Sequence, residues 1–136
     1  MSEKKKKLAI VTGAARGIGL ATAKLFEKNG YKVALVDKDN DELIKSRIDN
    51  NNQKSFSYDI SDINQLSNMF SDILNWYGRI DVLVNNAGVA DFGTIEETSY
   101  ERWNKVMNTN LNGAFLCSQQ AIPYLKKTKG NIINIA

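Results

Sequence analysis

Hydrophobic and polar residues follow two distinct patterns along the chain. One is a short run of apolar or β-branched residues without polar alternation, which is typical of a strand covered on both faces. It occurs five times, at residues 8–11, 32–36, 54–58, 80–84 and 132–135. The other is a longer segment with apolar residues at helical spacing, and one such segment lies between each pair of strands. The chain therefore predicts the order βαβαβαβαβ.

The ends of the first three helices are marked by residues that commonly stop or cap helices. Asn29-Gly30 is predicted to end the first helix, while Ser61 and Gly78 are predicted as N-cap and C′ residue of the third. The second helix is predicted in the polar stretch from Asp39, from the helical spacing of Leu43, Ile44 and Ile48, with Asn50-Asn51-Asn52 as its C-terminal loop.

A long fourth helix is predicted from Thr98, which forms a capping-box pattern with Glu101, to the break at Lys129-Gly130. Pro123 should bend this helix or mark a change of segment near its end. We expect its apolar residues to face inward, namely Trp103, Val106, Met107, Leu111, Ala114, Phe115, Ala121, Ile122 and Leu125.

The connections between strands decide the fold class. Each connection contains a helix and none carries a hairpin signal, so the strands are expected to run parallel. The order predicts an α/β fold, a doubly wound parallel sheet of Rossmann type with five strands. One domain is expected over residues 8–136, after a charged N-terminal arm at residues 1–7.

Composition excludes several classes of function. The 136 residues carry a net charge of +3, one cysteine, Cys117, and no histidine. An internal disulfide and a Ser-His-Asp triad are therefore impossible, and a zinc site is disfavoured. The single cysteine favours a cytoplasmic location. No apolar run approaches the ~20 residues of a membrane span. The lysines of the arm are interpreted as solvated, with no nucleic-acid or membrane partner expected.

The sequence VTGAARGIG, residues 11–19, follows the first strand and opens the first helix. A helix N-terminus offers unpaired N–H groups and a partial positive charge, which suit a pyrophosphate. Gly13, Gly17 and Gly19 allow sharp turns and close approach of an anion to the backbone. The spacing matches neither Gly-x-Gly-x-x-Gly nor a P-loop. A glycine-rich turn that only packs helix against strand remains the alternative.

Asp37 ends the second strand, 18 residues after Gly19, where a dinucleotide fold places its ribose-binding carboxylate. Its carboxylate oxygens would accept hydrogen bonds from ribose hydroxyls, and its negative charge would repel a 2′-phosphate. Arg16 and Lys38 could instead attract that phosphate. We expect NAD as the cofactor, with NADP the less favoured choice, and a solvated turn aspartate remains the alternative for Asp37.

Two motifs together resemble the short-chain dehydrogenase/reductase family. They are Thr12-Gly13-x-x-x-Gly17-x-Gly19 and the run NNAG at residues 85–88. Asp59-Ile60 after the third strand and the run NTNLNGAFLC around Asn110 also match the family. Within the family, the sequence is similar to the 3-oxoacyl-carrier-protein reductase and sugar-alcohol dehydrogenase groups. Asn110 lies among apolar residues of its helix, so a buried amide is expected there. The resemblance implies a catalytic role for Asn110 in a proton relay, and a helix asparagine that bonds to a neighbouring loop remains the alternative. It implies cofactor binding by Thr12, Gly13, Arg16, Gly17, Ile18, Gly19, Asp37, Asp59, Ile60, Asn86, Ala87 and Gly88.

The resemblance also implies an activity that these residues do not complete. Family members transfer hydride between a nicotinamide and an alcohol or carbonyl, using a serine and a Tyr-x-x-x-Lys pair. The 136 residues contain no Tyr-x-x-x-Lys, and the serine position would follow Ala136. The match therefore implies the N-terminal part of the family domain, without its C-terminal strands.

Three hypotheses stay open for the function of these residues. In the first, they belong to an NAD(P)-dependent oxidoreductase whose further residues supply the serine, tyrosine, lysine and a pocket for a small-molecule alcohol or carbonyl substrate. In the second, the chain binds a dinucleotide but is inactive. In the third, it is a folded remnant with an interaction role. A homo-oligomer is expected, because the fifth strand would present an apolar edge to solvent.

Overall fold

The computed structural model describes residues 5–46 and 50–136, so Ile48 and residues 1–4 of the predicted arm lie outside the described residues. The strands β1 to β5 are Leu8–Thr12, Lys32–Asp37, Gln53–Ser57, Val82–Asn85 and Asn131–Asn134. The helices α1 to α5 are Gly17–Lys28, Asn40–Ser46, Ile63–Tyr77, Tyr100–Met107 and Gly113–Thr128. A π-helical turn, Asn108–Asn112, joins α4 to α5.

The five strands form one parallel sheet in the order β3-β2-β1-β4-β5. This confirms the predicted doubly wound, Rossmann-type fold. The chain first adds β2 and then β3 on one side of β1. After β3 it crosses back and adds β4 and β5 on the other side of β1. The strand order therefore reverses between β1 and β4, which is where open α/β sheets bind their ligands.

Alternate residues of β1 supply two separate hydrophobic cores. Leu8 and Ile10 belong to a cluster that includes residues of α3 and α5. Ala9 and Val11 belong to a second cluster, which includes Ala23 of α1 and residues of α2 and β4. All residues of β1 are buried, and full burial of one such Leu or Ile side chain contributes about 1.5–3 kcal/mol. Burial on both faces is why the strand pattern lacks polar alternation.

The third helix begins one residue later than predicted. Asp62, not Ser61, is its N-cap, and the Asp62 carboxylate accepts a hydrogen bond from the backbone N–H of Asn64 at 3.0 Å. The Ser61 hydroxyl donates to the Asp59 carboxylate at 2.7 Å instead. Gly78 ends the helix in the left-handed conformation with φ 47°, as predicted.

The N-cap of α4 is also one residue away from the predicted position. The Ser99 hydroxyl oxygen accepts a hydrogen bond from the backbone N–H of Arg102 at 3.2 Å. The predicted cap, Thr98, donates its hydroxyl to the carbonyl of Thr94 at 2.7 Å. In both helices the hydroxyl of the predicted cap is already bonded within the preceding loop, and the next residue takes the capping position.

The predicted single helix from Thr98 to Lys129 is divided by the π-helical turn between α4 and α5. Backbone angles stay helical on both sides of this turn, with φ −65° at Asn108 and −59° at Gly113. Pro123 lies inside α5, which continues to Thr128. Of the two outcomes predicted for Pro123, the change of segment is therefore wrong, and a bend of the helix stays a prediction.

Only part of the apolar face of α4 and α5 is buried. Ala121 and Leu125 are buried as predicted, but four residues predicted to face inward are between 40% and 62% exposed, namely Trp103, Leu111, Phe115 and Ile122. The prediction that these four face inward is wrong for the described structure. Helical spacing identifies an apolar face, but it does not say whether another element of the same chain covers that face.

β5 forms one edge of the sheet, and Ile133 and Ile135 at this edge are each 42% exposed. The structure thus has the apolar sheet edge that the sequence predicted at its fifth strand. Helices long and apolar enough to cross a membrane are absent from the described part of the chain.

Candidate functional site

Loops that follow β1, β2 and β4 meet at the carboxyl edge of the sheet, around the point where the strand order reverses. The first, called the glycine loop, is residues 13–19 and comprises the turn after β1 and the first three residues of α1. Asp37 is the last residue of β2 and directly precedes the second loop. The loop after β4 carries Asn86, Ala87 and Gly88. Most of the residues predicted for the site are therefore brought together by three adjacent strands.

Thr12 and Asn86 fasten the first and third of these loops to each other. The buried Thr12 hydroxyl accepts hydrogen bonds from the backbone N–H groups of Asn86 and Ala87 at 3.1 and 3.0 Å. It donates to the carbonyl of Val84 at 3.3 Å. The Asn86 side-chain amide donates to the carbonyls of Thr12 and Gly13 at 3.1 and 3.3 Å. These bonds set the separation of the two loops.

Two glycines of the first loop leave no room for a side chain. A Cβ at Gly19 would lie 2.1 Å from the carbonyl oxygen of Gly13, and a Cβ at Gly13 would lie 2.8 Å from the Cα of Ala87. Gly17 shares a positive φ with Gly13, +58° and +64°, which favours glycine at both positions, but nothing lies within 4 Å of the position of a Cβ at Gly17. Gly17 thus makes the turn beside open space.

The N-terminus of α1 has the features of an anion site. Arg16 is its N-cap and makes no side-chain capping bond, and the first turn contains no acidic residue. The first N–H groups of the helix therefore lack intrahelical acceptors and carry the positive end of the helix dipole. Ile18 in this turn is 65% exposed. An incoming phosphate would meet backbone donors and a small apolar surface.

Asp37 is held by the backbone of two loops. Its carboxylate accepts a hydrogen bond from the N–H of Ala15 at 3.1 Å and another from the N–H of Asp39 at 3.0 Å. Each carboxylate oxygen can accept more than one bond, so acceptor capacity remains for hydroxyls of a ligand. Half-buried and fixed in this way, Asp37 faces a cleft between the glycine loop and the loop after β4.

Arg16 and Asp39 form an ion pair beside the same cleft, with Nη2 and Oδ2 2.5 Å apart. The Asp39 carboxylate also accepts a hydrogen bond from the N–H of Glu42 in α2 at 3.1 Å. That backbone bond, followed by the Arg16 guanidinium, holds the pKa of Asp39 below its ordinary value. Asp39 therefore stays charged and continues to hold Arg16.

Asp59 and Ile60 shape the far side of the site. Asp59 is fixed by Ser61, whose backbone N–H and hydroxyl both donate to its carboxylate, at 3.0 and 2.7 Å. Ile60 is 6% exposed and packs so closely against Gly113 that a Cβ there would lie 2.7 Å from Ile60 Cδ1. The contact seats α5 beside the loop after β3.

Asn110 occupies the π-helical turn and makes a paired contact with the loop after β4. Its Oδ1 accepts from the N–H of Val89 at 2.8 Å, and its Nδ2 donates to the carbonyl of Val89 at 2.9 Å. Asn110 is exposed, so the expectation of a buried amide on the apolar side of the helix is wrong. Turns of this type are common at functional sites.

Three clefts connect these residues. A small one of about 80 Å³ is lined by predicted residues including Asp37, Asp59 and Ile60. A second, of about 420 Å³, brings Arg16 and Ile18 to Asp37 and the loop after β4. A third, of about 800 Å³, contains Asn110. Sequence reasoning did not name Val36, Tyr58, Val89 and Thr109 as site residues, although they also line the small cleft. Thr109 lies in the run around Asn110, while the other three belong to neither of the motifs named above.

The third cleft is lined by three polar residues, Asn85, Ser118 and Asn134, whose hydrogen-bonded grouping sequence reasoning did not predict. The side-chain amide of Asn85 donates to Ser118 Oγ at 3.0 Å and to Asn134 Oδ1 at 2.9 Å. Asn85 is 6% exposed, and its Oδ1 has no hydrogen-bond partner in the structure. The three residues tie β4, α5 and β5 together next to Asn110.

Comparison with known families shows to which family the chain belongs. Residues 7–136 match the family described as short chain dehydrogenase. The chain belongs to this family. Members of the family bind a nicotinamide dinucleotide, and one solved relative of this chain holds NADH.

Within the short chain dehydrogenase family, two curated relatives show how far the similarity extends. Meso-2,3-butanediol dehydrogenase of Serratia marcescens is 36% identical over 132 residues, covering 96% of this chain and 53% of that protein. The 3-oxoacyl-[acyl-carrier-protein] reductase of Thermotoga maritima is 36% identical over 140 residues, covering 96% of this chain and 55% of that protein. The chain spans about half the length of the curated relatives it matches.

A solved structure extends the similarity to three dimensions. The 3-ketoacyl-(acyl-carrier-protein) reductase of Brucella melitensis, complexed with NADH, superposes with a TM-score of 0.90 at 29% identity. That alignment covers 97% of this chain and 57% of that structure. The five-stranded sheet described above therefore corresponds to the first half of a short chain dehydrogenase fold.

Proposed function

We propose that these residues form the dinucleotide-binding site of an NAD(P)-dependent oxidoreductase, and that the site prefers NAD to NADP. One observation carries the proposal. The open N-terminus of α1, the carboxylate of Asp37 and the loop after β4 border one cleft at the point where the strand order reverses. This constellation has a place for a pyrophosphate and a carboxylate for a ribose.

Each loop has a part in this proposal. The N–H groups at the start of α1 bind the pyrophosphate, with Gly13, Gly17 and Gly19 keeping side chains away from it. Asp37 accepts hydrogen bonds from the adenine ribose, while Asp59 and Ile60 border the small cleft that would receive the adenine. The remaining predicted cofactor residues, Thr12, Arg16, Ile18, Asn86, Ala87 and Gly88, position or border these groups.

The preference for NAD rests on charge. A 2′-phosphate would place up to two negative charges next to the carboxylate of Asp37, which two backbone N–H groups hold in position. Lys38 and Arg16 carry the opposing charges, but Arg16 is already paired with Asp39. The negative carboxylate nearest the ribose therefore has the stronger effect on the choice of cofactor.

Hydride transfer is the reaction we propose for the protein to which this site belongs. A bound nicotinamide supplies the hydride donor or acceptor, and the alcohol or carbonyl substrate needs a group that exchanges a proton. The 136 residues contain no Tyr-x-x-x-Lys pair for that proton. Asn110, pinned to Val89 beside the cleft of about 800 Å³, is the residue proposed for the proton relay.

The alternative is a chain that binds the dinucleotide without turnover. We expect the 136 residues alone to show this behaviour, because the proton donor is missing from them. The test is NADH oxidation by the purified chain with a vicinal diketone and with a 3-oxoacyl thioester. Turnover above background that disappears in the Asn110→Ala variant would contradict the alternative and require a proton donor other than the tyrosine.

The cofactor proposal is tested by direct binding. Titration of the chain with NADH and with NADPH, monitored by calorimetry, should give the lower dissociation constant for NADH. Asp37→Asn keeps the shape of the side chain and removes its charge, so we expect this variant to have a smaller difference between its affinities for NADH and NADPH. Equal affinities in the wild type would refute the role of Asp37, and binding of neither nucleotide would refute the proposed function.

Self-association and location complete the proposal. Trp103, Leu111 and Phe115 are exposed on α4, the π-helical turn and α5. We therefore propose that copies of the chain associate through this apolar surface rather than remain monomeric. A cytoplasmic location is proposed from the single cysteine alone.

A further inference from the structure

The ion pair between Arg16 and Asp39 joins two loops that both border the proposed nucleotide cleft. Arg16 is the N-cap of α1, and Asp39 lies between β2 and α2. Their side chains are 65% and 41% exposed, so the pair is in contact with solvent on the open side of the cleft. Both residues line the cleft of about 420 Å³, together with Asp37 and Lys38.

The backbone around Asp39 determines where its carboxylate points. Oδ1 accepts a hydrogen bond from the N–H of Glu42 at the start of α2, which leaves Oδ2 for Arg16. The N–H of Asp39 donates to the carboxylate of Asp37. Asp39 is therefore fixed at both its backbone and its side chain, and the flexible arginine is the partner that adapts.

The pair changes the charge that a ligand meets at this end of the cleft. Asp37 and Asp39 are negative, and Arg16 and Lys38 are positive, so the four side chains sum to zero. Without the charge of Asp39 the sum is +1, and Arg16 is released to form charge-assisted hydrogen bonds to a phosphate. An arginine already held by a carboxylate must lose that partner before it binds a phosphate.

We propose that Asp39 is a specificity-determining residue that withholds Arg16 from a 2′-phosphate, so that the site rejects NADP through two carboxylates with different roles. Asp37 repels the phosphate directly. Asp39 instead removes the one arginine of the glycine loop that could bind it. This inference rests on the proposed function, because it concerns the adenosine end of the same cofactor site.

Asp39→Asn is the variant that tests the proposal. An asparagine side-chain oxygen can still accept from the N–H of Glu42, so the start of α2 is preserved while the charge is removed. We expect NADPH to bind about fivefold more tightly, the size typical of one exposed charge pair, and NADH to change by less than about twofold. Adenosine 2′,5′-bisphosphate and 5′-AMP, as probes of the adenosine end, should show the same contrast.

Two further variants separate the proposed role from a general change of charge. Asp41→Asn removes one negative charge from the first turn of α2 and should leave the ratio of NADPH to NADH affinity unchanged. Arg16→Gln combined with Asp39→Asn should abolish the gain for NADPH, because the released arginine is then absent. The gain should also shrink as salt is added, since the groups are exposed.

Three results would overturn the inference, and each is distinct from failure of the proposed function. The first is an Asp39→Asn variant with an unchanged ratio of affinities. The second is an equal gain in affinity for NADPH and NADH in the Asp39→Asn variant. That result would mean that the released Arg16 binds the pyrophosphate, which both nucleotides share. The third is a gain that survives in the double variant. If the wild-type chain binds neither nucleotide, the proposed function fails as well.

Discussion

Replacing Gly19 by alanine tests whether the glycine loop is limited by space rather than by backbone conformation. Gly19 is the third residue of α1 and is buried. A Cβ there would lie 2.1 Å from the carbonyl oxygen of Gly13 and 2.5 Å from Nδ2 of Asn86. The first neighbour is backbone, so the loop itself must move to accept a methyl group.

The expected loss of stability follows from three contributions. Overpacking at a tight site costs about 1–3 kcal/mol. Displacing the Asn86 amide endangers its hydrogen bonds to Thr12 and Gly13, each contributing about 1 kcal/mol. Alanine in a helix offsets these losses by about 1 kcal/mol. We therefore expect the free energy of unfolding to fall by about 2–4 kcal/mol, a large share of the ~5–15 kcal/mol typical of a domain.

Two other glycines provide matched controls for the same substitution. Gly17 and Gly30 have φ of +58° and +90°, and nothing lies within 4 Å of a Cβ at either position. Alanine at these sites meets only the cost of a left-handed conformation, about 1–2 kcal/mol. Gly17 belongs to the loop, while Gly30 lies in the turn before β2.

The free energies of unfolding of Gly19→Ala, Gly17→Ala and Gly30→Ala are measured by urea denaturation, monitored by tryptophan fluorescence and circular dichroism under the same conditions. The free energy of unfolding should fall most for Gly19→Ala, and nucleotide binding should be lost with it. The reasoning is refuted if Gly19→Ala is as stable as Gly30→Ala, because a contact of 2.1 Å with backbone could not then be present.

Three further predictions concern other parts of the chain. Burial raises the pKa of the Cys117 thiol to about 12, so a thiol reagent should modify it only at the rate of unfolding, and rapid modification of the folded chain would contradict its burial. The hydrogen bond to Asp72, followed by partial burial, raises the pKa of Tyr58 from about 10 to about 12. The protonated phenol therefore stabilises the fold below about pH 10, and this contribution is lost between about pH 10 and 12. A spectroscopic titration of the Tyr58→Phe variant should lack the phenol that ionises near pH 12 in the wild type. Finally, size-exclusion chromatography with light scattering should show dimers or larger species, and a sharp monomer peak with a cooperative melt would argue against association through the exposed apolar residues.

The order of elements and the position of the site were predictable because both depend on local signals. Leu8 to Val11 read as a strand covered on both faces, and the structure buries all of them. Asp37 and the NNAG run directly follow apolar strands, and the carboxyl ends of parallel strands share one edge of the sheet. Proximity between these loops follows from the strand pattern alone.

Features that depend on contacts across the chain were not predictable. Asn110 was expected to be buried, because its neighbours are apolar, yet a π-helical turn presents it to Val89 in another loop. Arg16 was considered only as a free cation, because pairing with Asp39 depends on how α2 starts. Trp103 was expected to face inward, since spacing marks an apolar face without identifying its partner.

The bonds between Thr12 and Asn86 also have a kinetic consequence. They join residues 74 positions apart in the chain. A chain emerging from the ribosome cannot close this contact until β4 has been synthesised, so local helices form before the nucleotide cleft exists. Ligand binding should therefore appear among the last steps of folding, and it can serve as a signal that the long-range pairing of β1 with β4 is complete.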